Sequence, residues 1–583
     1  MKNLQAIKKH CTSVEQKLFS AFEKRKGHLL DIAKEIYPIG RAGLERGVEE
    51  LADGFIYDDD HRMLTTGPMN ALRQGAAGFH GNLTSPATHW FRFRLPSFMV
   101  KDGELTHEQK VLLDSITEAT EWTFARANAY KSLHKIYEHV LTFGFGCMLV
   151  SADKERICRC ETLRVGTYAL GIGTDGMVDT CVRRLSWTAD QIIREFGKES
   201  VPQYILDGKD DPIKRYEIVN LIEPNAVGDA KANDEIAQDI EMDDNTIYRS
   251  IFWLKGASSG TKNEGILRVI GFSIRPIVAP RLECEIGDIY GRGRGDDALD
   301  LARGCQSFKF DELNIVGRQS EPAILADAEL KDEGLKMYRG AVNYTRFGEQ
   351  RGSMAMPIIP NPPSPKDAMA ERMDAMQEIA KLFFNDAFSV IDAVKNGQSG
   401  KMTATEVEVH VRDAMQRLAP VATIFDTELL DPLVSIIAKY TIPAMPTPLT
   451  EEQVKLLSTV NVEYVSTIHL AQRQSSISGM VQVLQYGESL AKMGKPEVLY
   501  RIDGDRTFCR LAELIGFPEN CLSTDEKVQE SMSAANKAAA QQAQLEQMQI
   551  QARAQKDLAS APVDDGHAGG MIAKSIQQRE EER

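Results

Sequence analysis

Gly256-Ala257-Ser258-Ser259-Gly260 has the Gly-x-Ser-x-Gly spacing that presents a nucleophilic serine at a sharp strand-to-helix turn in acyl-transfer enzymes. That chemistry needs a helix directly after the serine. Here Thr261 to Gly265 leads into another apolar run, so the segment reads as a hairpin tip. Gly291-Arg292-Gly293-Arg294-Gly295 has the glycine density of a phosphate-binding loop, but neither GxGxxG nor GxxxxGK[ST] is present. Every Gly-Lys pair in the chain is followed by a residue other than Ser or Thr, which argues against an ATP-driven motor. The glycines at 291 to 295 fit a close backbone crossing at the start of a helix, with Arg292 and Arg294 turned to solvent or to acidic neighbours. Asp58-Asp59-Asp60 with His61 offers metal-binding atoms, and a metal-dependent nucleic-acid-processing enzyme is the alternative reading they support. Adjacent residues on one segment point different ways, so a solvated loop is the reading preferred. Cys158 and Cys160 lack a second pair or a nearby histidine to complete a zinc site, and His134 and His139 read as surface positions on a helix. No catalytic residue, metal site or cofactor is expected.

The stretch from Asn396 to Pro432 is built differently. A loop of Asn396, Gly397, Gln398, Ser399 and Gly400, bracketed by Lys395 and Lys401, opens into a long amphipathic helix. Thr403 or Thr405 can cap it, and Glu406 and Glu408 suit its first turn. Val407, Val411, Met415, Leu418, Ala422, Phe425 and Leu429 recur at the spacing of one buried face. Pro420 interrupts that face without ending it, which predicts a kink there.

A chain of 583 residues needs several domains, and its net charge of −15 argues against a protein that simply grips nucleic acid. The sparse cations Lys395, Lys401, Arg339, Arg346 and Arg351 fit a surface that touches phosphates without holding them. Nine cysteines without a CxxC pair suit a reducing compartment, and no apolar run is long enough to span a membrane. The charged start has no secretory apolar region, so a soluble, non-secreted protein is expected.

The periodicity predicts an α+β, mainly helical chain. Helices are expected at 13–37, 65–82 and 106–137. Strands are expected at 147–150, 165–170, 216–222, 248–254 and 266–272, with a helix at 188–196 capped by Gly197. A helix at 297–317, a strand-and-turn insert ending in a proline cluster and a helix at 366–388 follow, in the order of a stalk capped at one end. A helical block at 451–515 and an Ala/Gln-rich helix at 526–559 come next. That last helix is too poor in large side chains to stand alone, and the polar tail after Pro562 reads as disordered.

Several motifs occur in an order that resembles the portal proteins, or head-to-tail connecting proteins, of short-tailed bacteriophages. They are Gly81 to Pro86 with Trp90 and Phe91, Leu185 to Gly197, Tyr290 to Arg292 with Asp296 to Leu301, and Met402 to Val407 with Leu430 to Leu433. Leu470 to Arg473, Ile502 to Asp505 and Leu514 to Pro518 complete the set, which covers roughly residues 15 to 530. Thr88-His89 and the Gly-Arg repeat depart from the pattern without touching a catalytic role, since the family has none.

The resemblance implies a portal fold with wing, stem, clip, crown and C-terminal barrel helix, closed into a ring of about twelve subunits around a channel. In that picture the wing is 1–290, the stem helices are 291–318 and 364–390, and the clip between them is 319–363. The tunnel loop is 391–402, the kinked helix and its connection 403–448, the crown 449–524, the barrel helix 525–561 and the disordered tail 562–583. Implied partners are double-stranded DNA, the terminase large subunit, tail adaptor and tail tube proteins, and the major capsid and scaffolding proteins, with no membrane. The implied location is the virion, and the host cytoplasm during assembly. A tail or collar adaptor ring is the structural alternative.

Overall fold

The computed structural model describes residues 4–48, 50, 63–94, 107–211, 213–226, 243, 245–257, 261–320, 324–325, 356–357, 364–395, 404–445, 461–493, 501–504, 506–508, 511 and 525–559. Two units emerge, one of residues 1–99 and 115–515 and one of residues 100–114 and 516–583.

In the first unit α1 (Leu4–Glu35) buries Ile7, Cys11, Leu18, Phe22, Leu29 and Ile32, spaced so that one stripe faces the core. Pro38 at the first turn starts α2 (Pro38–Glu45), and α3 (Gly67–Leu83) follows. Strand β1 (Phe91–Arg94) precedes α4 (His107–Arg126) and α5 (Ala129–Phe143). The single helix expected over 106–137 is thus two. The break falls at Asn128, whose φ of 58° puts it in the left-handed region that asparagine tolerates better than most residues.

The strands are β2 (Met148–Asp153), β3 (Ile157–Thr162), β4 (Tyr168–Ile172) and β5 (Val178–Thr188), then α6 (Ala189–Phe196) and β6 (Arg215–Pro224). β7 (Tyr248–Leu254), β8 (Ile266–Phe272) and β9 (Ile277–Val278) complete them. An antiparallel sheet runs β4-β5-β6-β7-β8, and a smaller one runs β3-β2-β9. Thr188 caps α6 in a reciprocal pair with Gln191, and Gly197 ends it at φ 80°. α6 covers a satellite core of Ile192, Phe196, Ile218, Phe252 and Leu254.

Helix α7 (Arg294–Ser320), the short pair β10 (Ile324–Leu325) and β11 (Met356–Pro357), and α8 (Pro365–Leu382) follow. Then come α9 (Asn385–Lys395), α10 (Ala404–Phe425), a π-helical segment (Asp426–Leu430) and α11 (Asp431–Thr441). The helix expected over 366–388 breaks at Phe384, where φ is 63°. It resumes as α9 to Lys395, so the loop expected over 391–402 begins no earlier than Asn396. The block expected to be helical from 451 contains a strand, β12 (Asn461–Tyr464), paired antiparallel with β1, before α12 (Thr467–Lys492). In the second unit α13 (Asp525–Ala559) is one helix with Met532, Leu545, Met548 and Ile550 exposed.

α1 is tied to the large sheet by a buried ion cluster. Glu223 of β6 accepts from Arg249 Nε at 2.8 Å and lies 3.0 Å from His10 Nε2. Burial pushes its carboxyl up, but the His10 hydrogen bond and the Arg249 charge outweigh burial and hold it below the ordinary 4.5. A depressed carboxylate contributes stability above its unfolded pKa and loses it as pH falls through the folded value. Denaturant titrations of Glu223→Gln are therefore expected to show a shallower loss of stability below pH 4.5 than the wild-type chain. Equal slopes would show that the cluster contributes nothing to acid lability.

Candidate functional site

The Gly-Arg repeat sits where α7 begins, against the C-terminal end of α5. A Cβ at Gly291 would lie 2.1 Å from the Leu282 carbonyl oxygen, at Gly293 2.4 Å from the Gly144 nitrogen, and at Gly295 2.2 Å from the Thr142 carbonyl oxygen. Alternate residues thus press backbone on backbone, while Arg292 turns outward and Arg294 lies half-buried over the Phe384 ring. Arg292 pairs with Asp297 at 2.6 Å and Arg294 with Glu283 at 2.7 Å. The repeat is a crossing point with paired arginines, as its sequence suggested, and α7 starts at Arg294, ahead of the expected Asp297.

From that crossing α7 runs along α8. The pairing of β10 with β11 brings the chain out of α7 and into α8 at the same end, so the two helices are antiparallel. Arg372 Nε donates to Glu312 Oε2 at 3.2 Å across the pair, and Gln306 holds Thr65 ahead of α3. Near the crossing α7 buries Ala298, Leu299, Ala302 and Cys305. Farther along it exposes Phe310, Leu313 and Val316 at 47–56%, and α8 exposes Met369 and Met373. Asp367, Glu371, Asp374 and Glu378 recur at helical spacing as an exposed acidic stripe on α8.

Beyond α9, the loop residues Asn396, Gly397, Gln398, Ser399 and Gly400, with Lys401, lie outside the described residues. So do the side chain of Lys395 and all of Arg339, Arg346, Arg351, Ser258, Ser259, Asp58, Asp59, Asp60 and His61. α9 and α10 pack on each other on either side of that loop. Met415, Leu418, Ala422, Phe425 and Leu429 are buried as their spacing predicted. Pro420 lies inside α10, which stays helical on both sides of it, and the wide π turn comes after it at Asp426–Leu430.

Among the described residues, features that resemble enzyme sites take structural roles. β7 and β8 pair antiparallel across the Gly256 segment, and a short turn at Lys262–Gly265 stands where a hydrolase would need a helix. Cys158 and Cys160 are buried on one face of β3. His139 is a correction to the surface reading: α5 is enclosed nearly all round, and burial lowers that imidazole to about 4. Among the described residues no group of three or more His, Cys, Asp or Glu could hold a metal, and no helix is long and apolar enough to cross a membrane.

One constellation has no sequence signature because Asp426 lies about 40 residues ahead of the Ser466–His469 pair it joins. Ser466 Oγ is 2.7 Å from His469 Nδ1, and His469 Nε2 is 2.8 Å from Asp426 Oδ2. A Ser-His-Asp nucleophile would use the opposite ring nitrogens, and Ser466 is only 4% exposed. The trio fixes α12 to the π segment.

The chain matches the family model described as bacteriophage head to tail connecting protein over residues 8–522. It is 26% identical over 582 residues to a portal protein of Salmonella phage epsilon15, covering 99% of this chain and 97% of that protein. It is 27% identical over 448 residues to a probable portal protein of Bordetella phage BPP-1, covering 76% and 77%. A chain from the solved virion of a native gene transfer agent particle aligns at TM-score 0.31 and 13% identity, covering 70% of this chain and 90% of that one. With the stalk, its glycine crossing and the jointed helix in place, and the family model matched from residue 8 to residue 522, the chain belongs to the bacteriophage head to tail connecting protein family.

Proposed function

We propose that the protein is a portal subunit, a non-enzymatic component of the virion that closes into a ring through which double-stranded DNA enters and leaves the capsid. The observation that carries the ring is the stalk. In a single chain Phe310, Leu313 and Val316 face solvent on an exposed two-helix arm, and a neighbouring subunit would bury them. The acidic stripe on α8 suits a lumen, because carboxylates repel phosphates and leave DNA free to slide. An exposed helix as poor in large side chains as α13 suits a barrel built from several copies.

In this reading 1–290 forms the wing, α7 and α8 the stem, the insert between them the clip that meets terminase and tail proteins, and 449–524 the crown. Residues 396–401 form the tunnel loop, and the bend of the helix after it falls at Pro420 and the π segment. Assembly takes place in the host cytoplasm with capsid and scaffolding proteins. An adaptor ring would share the symmetry but would not bind the packaging motor.

Deleting Asn396 to Gly400 is expected to leave ring assembly intact while lowering the DNA packaged or retained per particle, read as encapsidated genome length. If the deletion abolishes the ring, the loop is a structural joint.

A further inference from the structure

The π segment between α10 and α11 is held by acidic side chains that each bind a different part of the chain. Asp426 pairs with His469 of α12 at 2.8 Å. Glu428 accepts the Arg281 backbone N–H at 2.8 Å and its guanidinium at 3.1 and 3.3 Å, and the same guanidinium donates to the carbonyls of Gly176 and Asp288. Asp431, the first residue after the segment, accepts from the Tyr464 hydroxyl of β12. Tyr464 is itself stacked between Trp90 and His469, with ring centroids at 6.3 and 5.3 Å. On the apolar side Leu429 and Leu430 are fully buried, and Phe425 packs edge-on to Phe79 and Tyr137.

A π turn carries one residue more than an α-helix accommodates, so it persists where surrounding contacts over-determine it, and such turns bend helices. Thr423 and Thr427 add to this by donating to the carbonyls of Ala419 and Thr423 at 2.9 and 3.0 Å, a pattern that also bends helices. Burying a carboxylate is offset only while its partner stays in place, so each contact resists displacement of the segment. The contacts reach α12, the neighbouring β12 and the Arg281 loop. Upstream, α10 is a lever: its 22 residues span about 33 Å, so a tilt of about 10° at the π segment moves the Ala404 end by about 6 Å. α9 packs along α10.

We propose that Asp426–Asp431 is a three-point mount that sets the direction of α10 and hence the position of its Ala404 end, to which residues 396–403 are joined in the chain, with Arg281, His469 and Tyr464 as positioning residues. The mount itself does not depend on the portal reading. Only the consequence of moving the loop rests on it.

The test compares structures of the full-length wild-type chain and of Arg281→Met, Arg281→Lys and the isosteric Asp426→Asn, each by electron cryomicroscopy of whatever assembly it forms. With the five-stranded sheets superimposed, the Ala404 end of α10 is expected to shift by about 6 Å for each 10° of tilt in Arg281→Met. Arg281→Lys, which keeps one charge, should return it part of the way. Should Arg281→Met fail to fold, Asp426→Asn carries the comparison and is expected to shift the same end. An α10 that superimposes on wild type in the folded variants, with only the denaturation midpoint lowered, would reduce these contacts to plain stabilisers and overturn the proposal. Absence of a ring in every sample would count against the portal reading alone, because α10 is still compared within the single chain.

Discussion

Gly295→Ala is expected to destabilise the chain by about 3 kcal/mol or more, at or beyond the upper end of the usual cost of overpacking. The added methyl would lie 2.2 Å from the Thr142 carbonyl oxygen and 2.9 Å from Ile32 Cγ2, and the nearer of these is backbone. A side chain can change rotamer to make room. The carbonyl at the end of α5 cannot move without dragging the helix, the Gly144 turn at φ 80° and the Gly291–Gly293 backbone stacked on it. Gly293→Ala should behave alike, with its methyl 2.4 Å from the Gly144 nitrogen. Gly317→Ala, on the same helix but with nothing within 4 Å, should be neutral or stabilising by up to about 1 kcal/mol, the ordinary gain of alanine over glycine in a helix. Urea denaturation of the three variants checks this. A Gly295→Ala midpoint equal to that of Gly317→Ala would show that the crossing has slack the distances deny.

The second large effect concerns assembly. Phe310→Asp combined with Leu313→Asp is expected to leave the subunit folded, because both side chains are at least half exposed in the single chain. It should remove the ring. Burying a phenylalanine or leucine is worth roughly 1.5–3 kcal/mol, and the variant both forfeits that gain at each contact and places a carboxylate there. Repeated around a closed ring, the loss compounds at every interface. Native mass spectrometry at matched concentration should show single subunits with the circular dichroism of wild type. Asp300→Ala, whose side chain is 95% exposed, is the control and should keep the ring. A ring that survives the double substitution would move the interface away from this face of α7.

Much of this was legible in the residues. β7 and β8 have the bounds their alternation predicts, and the helix expected at 188–196 ends at its Gly197 cap, while Thr188 proves to be its N-cap and not its first residue. The Gly-Arg repeat, once the phosphate-loop patterns failed, read as a close backbone crossing, and Gly291, Gly293 and Gly295 make that approach. β5, the second strand of the large sheet, was not read as a strand. Its alternation is blurred by Arg183 and Arg184, which are satisfied by Asn220 and Glu15, groups far off in the chain. The helix breaks at Asn128 and Phe384 also went unseen, since neither carries a proline or glycine and tertiary packing selects the left-handed residue. β12 was hidden in the same way, its register being set by β1 some 370 residues earlier, where Arg92 meets Glu463. The mount at Asp426–Asp431 depends on Arg281 and on Tyr464 and His469, well removed in the chain, and local periodicity carries no trace of such a convergence.

A closed ring around a channel would be visible by electron cryomicroscopy of the purified full-length chain. Rings of about twelve subunits are expected, with α7 and α8 forming the stem and the acidic stripe of α8 turned toward the lumen. Particles that are folded yet only single subunits or pairs, across the concentrations at which the chain stays soluble, would contradict it.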